Sequence, residues 1–595
     1  MNALVESTLS SSVERGIAAL HAFIGEEAAA SLLRPASRKQ GEAASFWLPL
    51  PPDYTGVERR LRIAFPNQFP IISLQIHVEP SPWLKWPHSM KSGLCLHGFR
   101  EKPITGTPET VVHDSLLRLG AIIDFVRADS DPTLRDAEFR KEFTSYWNMQ
   151  LDTSPQDILL LERPNTASEL FATSDPRPVR CSRTAWLAPS VNSLRTYFKR
   201  IVGRNAKIQS PVVAGFYVKL LTYPDVQFPA PEHLLDWLTP HLSENDCKKF
   251  LSWFSGKGSL ANRLVVLELP GSERAPMYCL DVRSYSKQPD HGRWYGFRSA
   301  RRWSGKNQPS HSPVLVRGAI LNILDRNDIL SRDLSGTAAS LEKARVVMVG
   351  AGSLGSTVAL QLARSGVGEI VLIDPDILES ANLGRHVLGV DDLARPKANA
   401  LAARLTQDLP TVKIFPYMDF VESLLLKKQA VFQSADLVIV TTADWSSEVA
   451  LWCNKAEGTQ WGLLQAWSEP HSFVGHGILA PRGAFDGRYL FDDTGNFRLK
   501  HTEWPDGGGV VPLPACGQTF IPGGISGMAN VASMVTQVAL RFLTGEINHQ
   551  VWATTIYRPQ DVANHEGRYF GPALADGTQH TVLEREWPTV EDGDR

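Results

Sequence analysis

The chain has 595 residues, more than one hydrophobic core serves, so about three or four domains are expected at roughly 150 residues each. With 61 Lys plus Arg against 63 Asp plus Glu, the formal charge of -2 gives no global basic field for nucleic acid. A hydrophobic share of 43% with 21% charged residues excludes disorder as the main state. No apolar run approaches the ~18 residues of a membrane span. Glu6 precedes any Lys or Arg and no apolar signal region follows, so a cytoplasmic location is expected.

Three regions follow one another. In residues 1–150, Ser11 to Leu33 has the period of an amphipathic helix. Strand patterns over Ala44 to Leu50, Arg59 to Phe65 and Ile71 to Val78 come next, then a helix over Val111 to Arg127, which together predict a small α+β domain. Residues 151–325 predict an α+β scaffold, with strands over Val212 to Leu221, Arg263 to Leu269 and Met277 to Val282 and a helical stretch from Pro231 to Phe254. No catalytic spacing occurs there, and the cluster of Arg298, Arg301 and Arg302 beside Trp294 and Trp303 reads as a solvated face. The polar, Pro-containing stretch Asp152 to Pro164 reads as a hinge.

The third region, residues 326–595, is an α/β pattern. A buried-type strand over Arg345 to Val349 leads into Gly350-Ala-Gly-Ser-Leu-Gly355, a helix to Ser365, and a second strand over Glu369 to Ile373 ending at Asp374. Strands over Thr411 to Tyr417, Asp436 to Thr442 and Trp461 to Ser468 alternate with helices, which predicts an open, mostly parallel Rossmann-like sheet. Gly350, Gly352 and Gly355 allow a tight turn and close approach of a phosphate to a helix N-terminus, and Asp374 is placed for ribose hydroxyls. An NAD-dependent oxidoreductase satisfies that fingerprint equally. Asn382-Leu-Gly-Arg385, Lys397 and Asp444 go beyond it: two cations and a further acid at one sheet edge suit a triphosphate with Mg²⁺, Arg385 and Lys397 offsetting phosphate charge and Asp444 holding the metal.

The motifs Gly350-Ala-Gly-Ser-Leu-Gly-Ser356, Ile373-Asp-Pro-Asp376, Asn382-Leu-Gly-Arg385, Arg395-Pro-Lys-Ala398 and Thr441-Thr-Ala-Asp444 resemble the adenylation domain shared by ubiquitin-activating enzymes and the ThiF and MoeB proteins. The resemblance implies ATP as substrate, attack of a partner's C-terminal carboxylate on the α-phosphate, and Asn382 and Arg385 among the nucleotide-site residues. It also places a further family arginine near Arg326. The paired zinc-binding cysteines of many members are absent from this sequence.

The six cysteines are too sparse for a disulfide framework. Cys516, in Pro512-Leu-Pro-Ala-Cys-Gly-Gln518 ahead of a helical Gly527 to Leu543, occupies a loop such as carries the thioester cysteine of activating enzymes. Cys95, in Gly93-Leu-Cys-Leu96 downstream of Phe65-Pro-Asn-Gln-Phe-Pro70 and Pro87-His-Ser89, resembles the reactive cysteine of ubiquitin-conjugating domains. The usual HPN asparagine is missing, with His97 or a backbone amide as substitute for the oxyanion. Cys181, Cys247, Cys279 and Cys453 read as buried small hydrophobes. The order of domains resembles the activating/conjugating fusion proteins of CBASS antiphage systems. That resemblance implies a homodimer that joins a cGAS/DncV-like nucleotidyltransferase to a target amine, with Arg385, Cys516 and Cys95 catalytic. A ThiF/MoeB-type sulfur-carrier adenylyltransferase shares the first step and leaves the conjugating-type region unexplained.

Overall fold

Alternation along Arg345–Val349 sends Val346 and Met348 to one face of the strand and Val347 and Val349 to the other, and all four are buried. A strand buried on both sides requires a covering layer on each, the arrangement of a doubly wound α/β sheet. The computed structural model has that arrangement. It describes residues 2–91, 93–96, 106–174, 184–203, 212–256, 262–271, 275–284, 313–333, 335–505, 509–512 and 519–588. The chain divides into two compact units, one made of Met1–Ile158, Pro164–Leu170 and Val213–Leu321, the other of Leu159–Arg163, Phe171–Val212 and Asn322–Arg595.

In the second unit the sheet contains β1 (Arg345–Val349), β2 (Glu369–Ile373), β3 (Lys413–Tyr417), β4 (Leu437–Val440), β5 (Gly462–Ser468), β6 (Val474–Ala480), β7 (Val551–Tyr557) and β8 (His580–Arg585). Their spatial order is 3-2-1-4-5-6-7-8, the first five parallel and the rest joined antiparallel. Four helices matter for the site: α1 (Ser353–Arg364), α2 (Lys397–Asp408), α3 (Trp445–Ala456) and α4 (Ile525–Leu543). Val358 and Leu362 of α1, Leu401 and Leu405 of α2 and Val535 of α4 bury the Val346/Met348 face. Leu451 and Trp452 of α3, with Trp461, Trp552 and Trp587, bury the Val347/Val349 face. Truncating a fully buried leucine such as Leu362 to alanine costs about 2–5 kcal/mol. The helix Val191–Ile201, capped by the Ser190 hydroxyl, adds a smaller core of Leu194, Tyr197, Phe198, Trp186 and Leu161.

The first unit opens with the helix Asn2–Ile24, which stops where Gly25 takes a φ of 95°, so the single predicted helix is two. Glu42–Leu50, Arg59–Pro66 and Gln75–Glu79 form an antiparallel sheet in sequence order, edged by Arg34–Pro35. The helix Pro108–Val126, with a Thr107 cap and proline in its first turn, packs Val112, Leu116 and Leu119 against Leu61, Ile63 and Phe65. Farther along, Val212–Lys219 pairs parallel with Asn262–Glu268, to which Met277–Ser284 and Pro313–Ile323 add antiparallel. The helix Phe143–Met149 buries Phe143 and Trp147 in one core with Phe216, Tyr278 and Leu280. The Gln150 amide bonds the Val226 carbonyl at 2.7 Å and accepts from Phe228 N at 3.0 Å. The chain just before the predicted hinge is therefore hydrogen-bonded to residues 226 and 228 downstream.

Candidate nucleotide site

The predicted glycine loop lies at the carboxyl ends of the parallel strands. Gly350 has a φ of 93°, and a Cβ on Gly355 would sit 1.9 Å from the Gly350 carbonyl oxygen, so both glycines are required by the turn itself. Gly352 differs: a Cβ there would meet nothing within 4 Å. Its freedom leaves room in front of the α1 N-terminus, where backbone amides suit an anion.

Asp374, at the end of β2, is buried and clamps the loop, its Oδ2 accepting from Ala351 N at 2.6 Å and Oδ1 from Asp376 N at 2.8 Å. Burial pushes its pKa up, against those two amides and the nearby Lys397. His386 grips the same residue from the other side. Its Nε2 lies 2.7 Å from the Ala351 carbonyl oxygen, and its Nδ1 accepts from Leu388 N at 3.1 Å, which makes the neutral Nε2–H tautomer the donor. Burial lowers the His386 pKa accordingly. Sequence reasoning missed His386, although it directly follows the motif arginine.

Lys397 opens α2, where a cation runs against the helix dipole. It is held there by Asp376, whose Oδ2 lies 2.9 Å from Nζ and whose carbonyl accepts from Lys397 N at 2.8 Å. The Asp376 carboxylate is itself exposed, so the pair has an accessible acid that an incoming phosphate can displace. Asn382 is a structural residue, its Oδ1 accepting from Glu379 N at 3.0 Å within a reciprocal capping box. Arg385 makes no ion pair among the described residues, and its Nη1 reaches the Ile521 carbonyl at 3.4 Å.

Asp444 caps α3, with Oδ2 accepting from Ser447 N at 3.0 Å and Ser447 Oγ at 2.7 Å. The preceding Ala443 holds a left-handed φ of 52°, a conformation that costs about 1 kcal/mol or more outside glycine and recurs at functional turns. Among the described residues no group of three or more His, Cys, Asp or Glu is arranged to hold a metal. One carboxylate is nonetheless what a nucleotide-borne Mg²⁺ needs, since phosphates and water complete its shell. Glu448, one turn after Asp444 and also missed, is 5% exposed. Burial pushes its pKa up to about 8, reinforced by the Asp444 charge. Its Oε2 accepts from Gln465 Nε2 at 2.8 Å, and Gln465 in turn holds Trp452 Nε1 at 2.5 Å.

Other predicted residues fall differently. Arg326 bonds the carbonyls of Ala338 and Gly366, just beyond the end of α1 remote from the glycine loop, so within this chain its guanidinium serves as a structural clasp. Cys453 is exposed, 3.2 Å from Arg488 Nη1, and not a core thiol. Cys247 is only half-buried, while Cys279 is buried as expected. Cys516, His97, Cys181 and the arginine cluster at Arg298, Arg301 and Arg302 lie outside the described residues. The feet of the Cys516 loop are nevertheless described: Val511 pairs with Phe520 and Pro512 with Thr519.

In the first unit, half-buried Cys95 donates its amide to the His88 carbonyl at 2.7 Å. His88 sits between two acids, Nδ1 at 3.1 Å from Glu142 and Nε2 at 3.6 Å from Glu138, and Glu142 raises its pKa. The Tyr146 hydroxyl accepts from His88 N at 2.7 Å and donates to Glu142 at 2.8 Å. Ser89, where an HPN asparagine would stand, is buried and turns its hydroxyl to the Trp86 carbonyl at 2.7 Å. That side chain is structural.

Comparison with known proteins bears on the second unit. "Probable adenylyltransferase/sulfurtransferase MoeZ" of Mycobacterium tuberculosis is 30% identical over 210 residues, covering 34% of this chain and 49% of MoeZ, so the chain spans about half the length of that relative. "ATP-dependent ubiquitin transferase-like protein Cap2" of Enterobacter hormaechei is 41% identical over 76 residues, 13% of each chain. Among solved structures, Escherichia coli MccB with ATP aligns at 16% identity over 38% of this chain and 63% of its own, with a TM-score of 0.26. The ThiF family matches residues 328–459, the stretch that holds the glycine loop, Asp374, Arg385, Lys397 and Asp444, and the second unit therefore carries a ThiF-family domain.

Proposed function

We propose that the protein adenylates the C-terminal carboxylate of a partner protein, a cGAS/DncV-like nucleotidyltransferase, and passes the acyl group to an amine. The observation that carries this reading is the convergence of an open Gly352, a cation at Lys397 and an acid at Asp444 on the strand ends of a ThiF-family sheet. ATP is the substrate that fits: the α1 amides face its phosphates, Lys397 exchanges Asp376 for a phosphate oxygen, and Arg385 offsets charge that builds as pyrophosphate leaves. Asp444 would hold Mg²⁺, which when bound offsets phosphate charge. Attack of the carboxylate oxygen on the α-phosphorus breaks the bond to pyrophosphate and leaves an acyl adenylate.

The Cys516 thiolate then attacks the acyl carbon with AMP as leaving group, and Cys95 receives the acyl group by thioester exchange before a lysine amine takes it as an isopeptide. Each step forms one acyl bond and breaks one, which divides a hard transfer into easier ones. The name of Cap2 supports the conjugating half, and Cys95 beside His88 supports an acceptor thiol in the first unit. The ThiF match speaks against an oxidoreductase. The sulfur-carrier reading, favoured by the name of MoeZ, shares the adenylation step and gives Cys95 nothing to do. Exchange of labelled pyrophosphate into ATP, dependent on partner and Mg²⁺ and lost in Asp444→Ala, tests the proposal; exchange at the wild-type rate in that variant removes Asp444 from the mechanism.

A further inference from the structure

Two buried arginines of the first unit are paired with acids, and a third, Arg135, bonds Ser130 Oγ at 3.2 Å and lies over the Tyr54 ring at 3.6 Å. Arg59 lies 2.6 Å from Asp53 and Arg62 lies 2.6 Å from Glu42, each inside the fold. Arg263, at the start of the strand Asn262–Glu268, is 4% exposed and has no carboxylate partner among the described residues, and its Nη1 is buried without a hydrogen bond. A buried cation without a counter-charge is strongly destabilising. The ring faces of Trp253 at 5.8 Å and Phe254 at 4.8 Å offset part of that penalty but supply no acceptor for Nη1. The side chain is retained in a state that calls for an anion.

Space for one is adjacent. Arg263 lines a cavity of about 690 Å³ together with Lys248, Lys249, Trp253, Ser168 and Glu169, all within the first unit. Lys248 is already paired with Glu244 at 2.5 Å, so Arg263 and Lys249 against Glu169 leave one positive charge in the lining, which favours a phosphate group. The volume lies in the roughly 300–1,000 Å³ range of small-molecule sites and greatly exceeds a bare phosphate. Trp253 is only half-buried, beside Phe216 at a centroid distance of 5.2 Å, and offers a flat apolar wall. We infer that this cavity binds a phosphorylated small molecule of nucleotide size, with its phosphate on the Arg263 guanidinium and its ring against Trp253.

None of the cavity residues belongs to the ThiF-family domain, and the inference does not depend on the adenylation chemistry. The test is hydrogen exchange of the full-length protein titrated with AMP and, separately, with inorganic phosphate. The expected result is protection of peptides covering residues 244–268 by AMP, with half-saturation at a lower concentration than for phosphate. Lys248→Ala/Lys249→Ala, an exposed double change that leaves the fold intact, should raise the AMP half-saturation by roughly tenfold or more while leaving protection at residues 350–356 unchanged. Arg263→Met should abolish protection at 244–268. Absence of protection there in the wild type, or an unchanged titration in the double variant, overturns the assignment. Equal potency of phosphate and AMP overturns its nucleotide-sized part.

Discussion

Arg385 Nη1 stands 3.4 Å from the carbonyl oxygen of Ile521, one residue beyond the ribbon whose strands close the foot of the Cys516 loop. The next residue, Pro522, accepts from His471 N at 2.5 Å, so that foot is fastened to the β5–β6 turn as well. The arginine proposed to face the phosphates thus touches the support of the thiol proposed to receive the acyl group. Being without an ion pair among the described residues, Arg385 contributes little to stability, and its removal should shift unfolding by no more than about 0.5 kcal/mol. Arg385→Ala should lower pyrophosphate exchange by about 10²- to 10³-fold. Exchange unaltered in a folded variant rules the side chain out of the chemistry.

The glycines of the loop separate folding from binding. Gly355→Ala drives a methyl into the Gly350 carbonyl and should destabilise the second unit by several kcal/mol, visible in its thermal transition. Gly352→Ala meets only open space, so its melting should match wild type while ATP binding falls by tenfold or more. If the Gly352 variant binds ATP normally in calorimetry, the phosphates do not approach the α1 terminus there.

Glu448 makes stability depend on pH in a stated direction. Its folded pKa of about 8 lies above the ordinary 4.5, so the native carboxyl stays protonated while the unfolded chain ionises. Its contribution is full below about pH 4.5 and is lost as pH rises through that window, becoming level above about pH 8. Glu448→Gln keeps the shape and the neighbours Thr442 and Gln465 and removes the titration. The variant should gain stability relative to wild type as pH increases from 5 to 8, measured by urea midpoints; parallel curves would show that Glu448 is ionised in the fold.

Local patterns made the second unit legible. β1 and β2 fall on their predicted bounds because each is a short apolar run between a charged start and a Gly or Asp end. The glycine loop was readable for the same reason. Asn382 and Asp444 stand where the motifs put them, yet both serve as caps, and a motif carries no information about which acceptor a side chain already satisfies. His386 and Glu448 escaped because their significance lies in tertiary partners, Ala351 and Gln465, distant in the chain. The strand β6 was hidden by Gly475 and Gly477, which dilute its strand signature. Arg326 fits the family spacing, but its side chain goes to the carbonyls of Ala338 and Gly366.

His88 tests the environment of Cys95. The Glu142 bond raises its pKa above the ordinary 6.5, so the imidazolium persists further into neutral pH, and the stability it contributes is present below 6.5 and lost as pH rises through the folded value. Glu142→Gln should move the His88 titration, followed by NMR, towards or below 6.5. It also takes the negative charge from the Tyr146 hydroxyl's acceptor, so the buried Tyr146 pKa, raised by burial and by Glu142, should fall in the same variant. A His88 titration that does not move would assign the shift to Glu138 instead.

The relay itself predicts an order of loss. A thiol acting on the adenylate must be loaded before a thiol acting on a thioester, because thioester exchange has no substrate until the first thioester exists. Cys516→Ala should therefore form adenylate and exchange pyrophosphate while neither cysteine carries the partner. Cys95→Ala should accumulate the partner on Cys516 and make no conjugate. Non-reducing mass spectrometry after incubation with ATP, Mg²⁺ and partner distinguishes the species, since each thioester is cleaved by hydroxylamine and an isopeptide is not. Normal loading of Cys95 in the Cys516→Ala protein would mean direct transfer from the adenylate and make the loop cysteine a bystander. If neither cysteine loads in the wild-type protein although exchange is robust, the reading contracts to adenylation of a carrier carboxylate, with Cys95 left as a half-buried thiol beside His88.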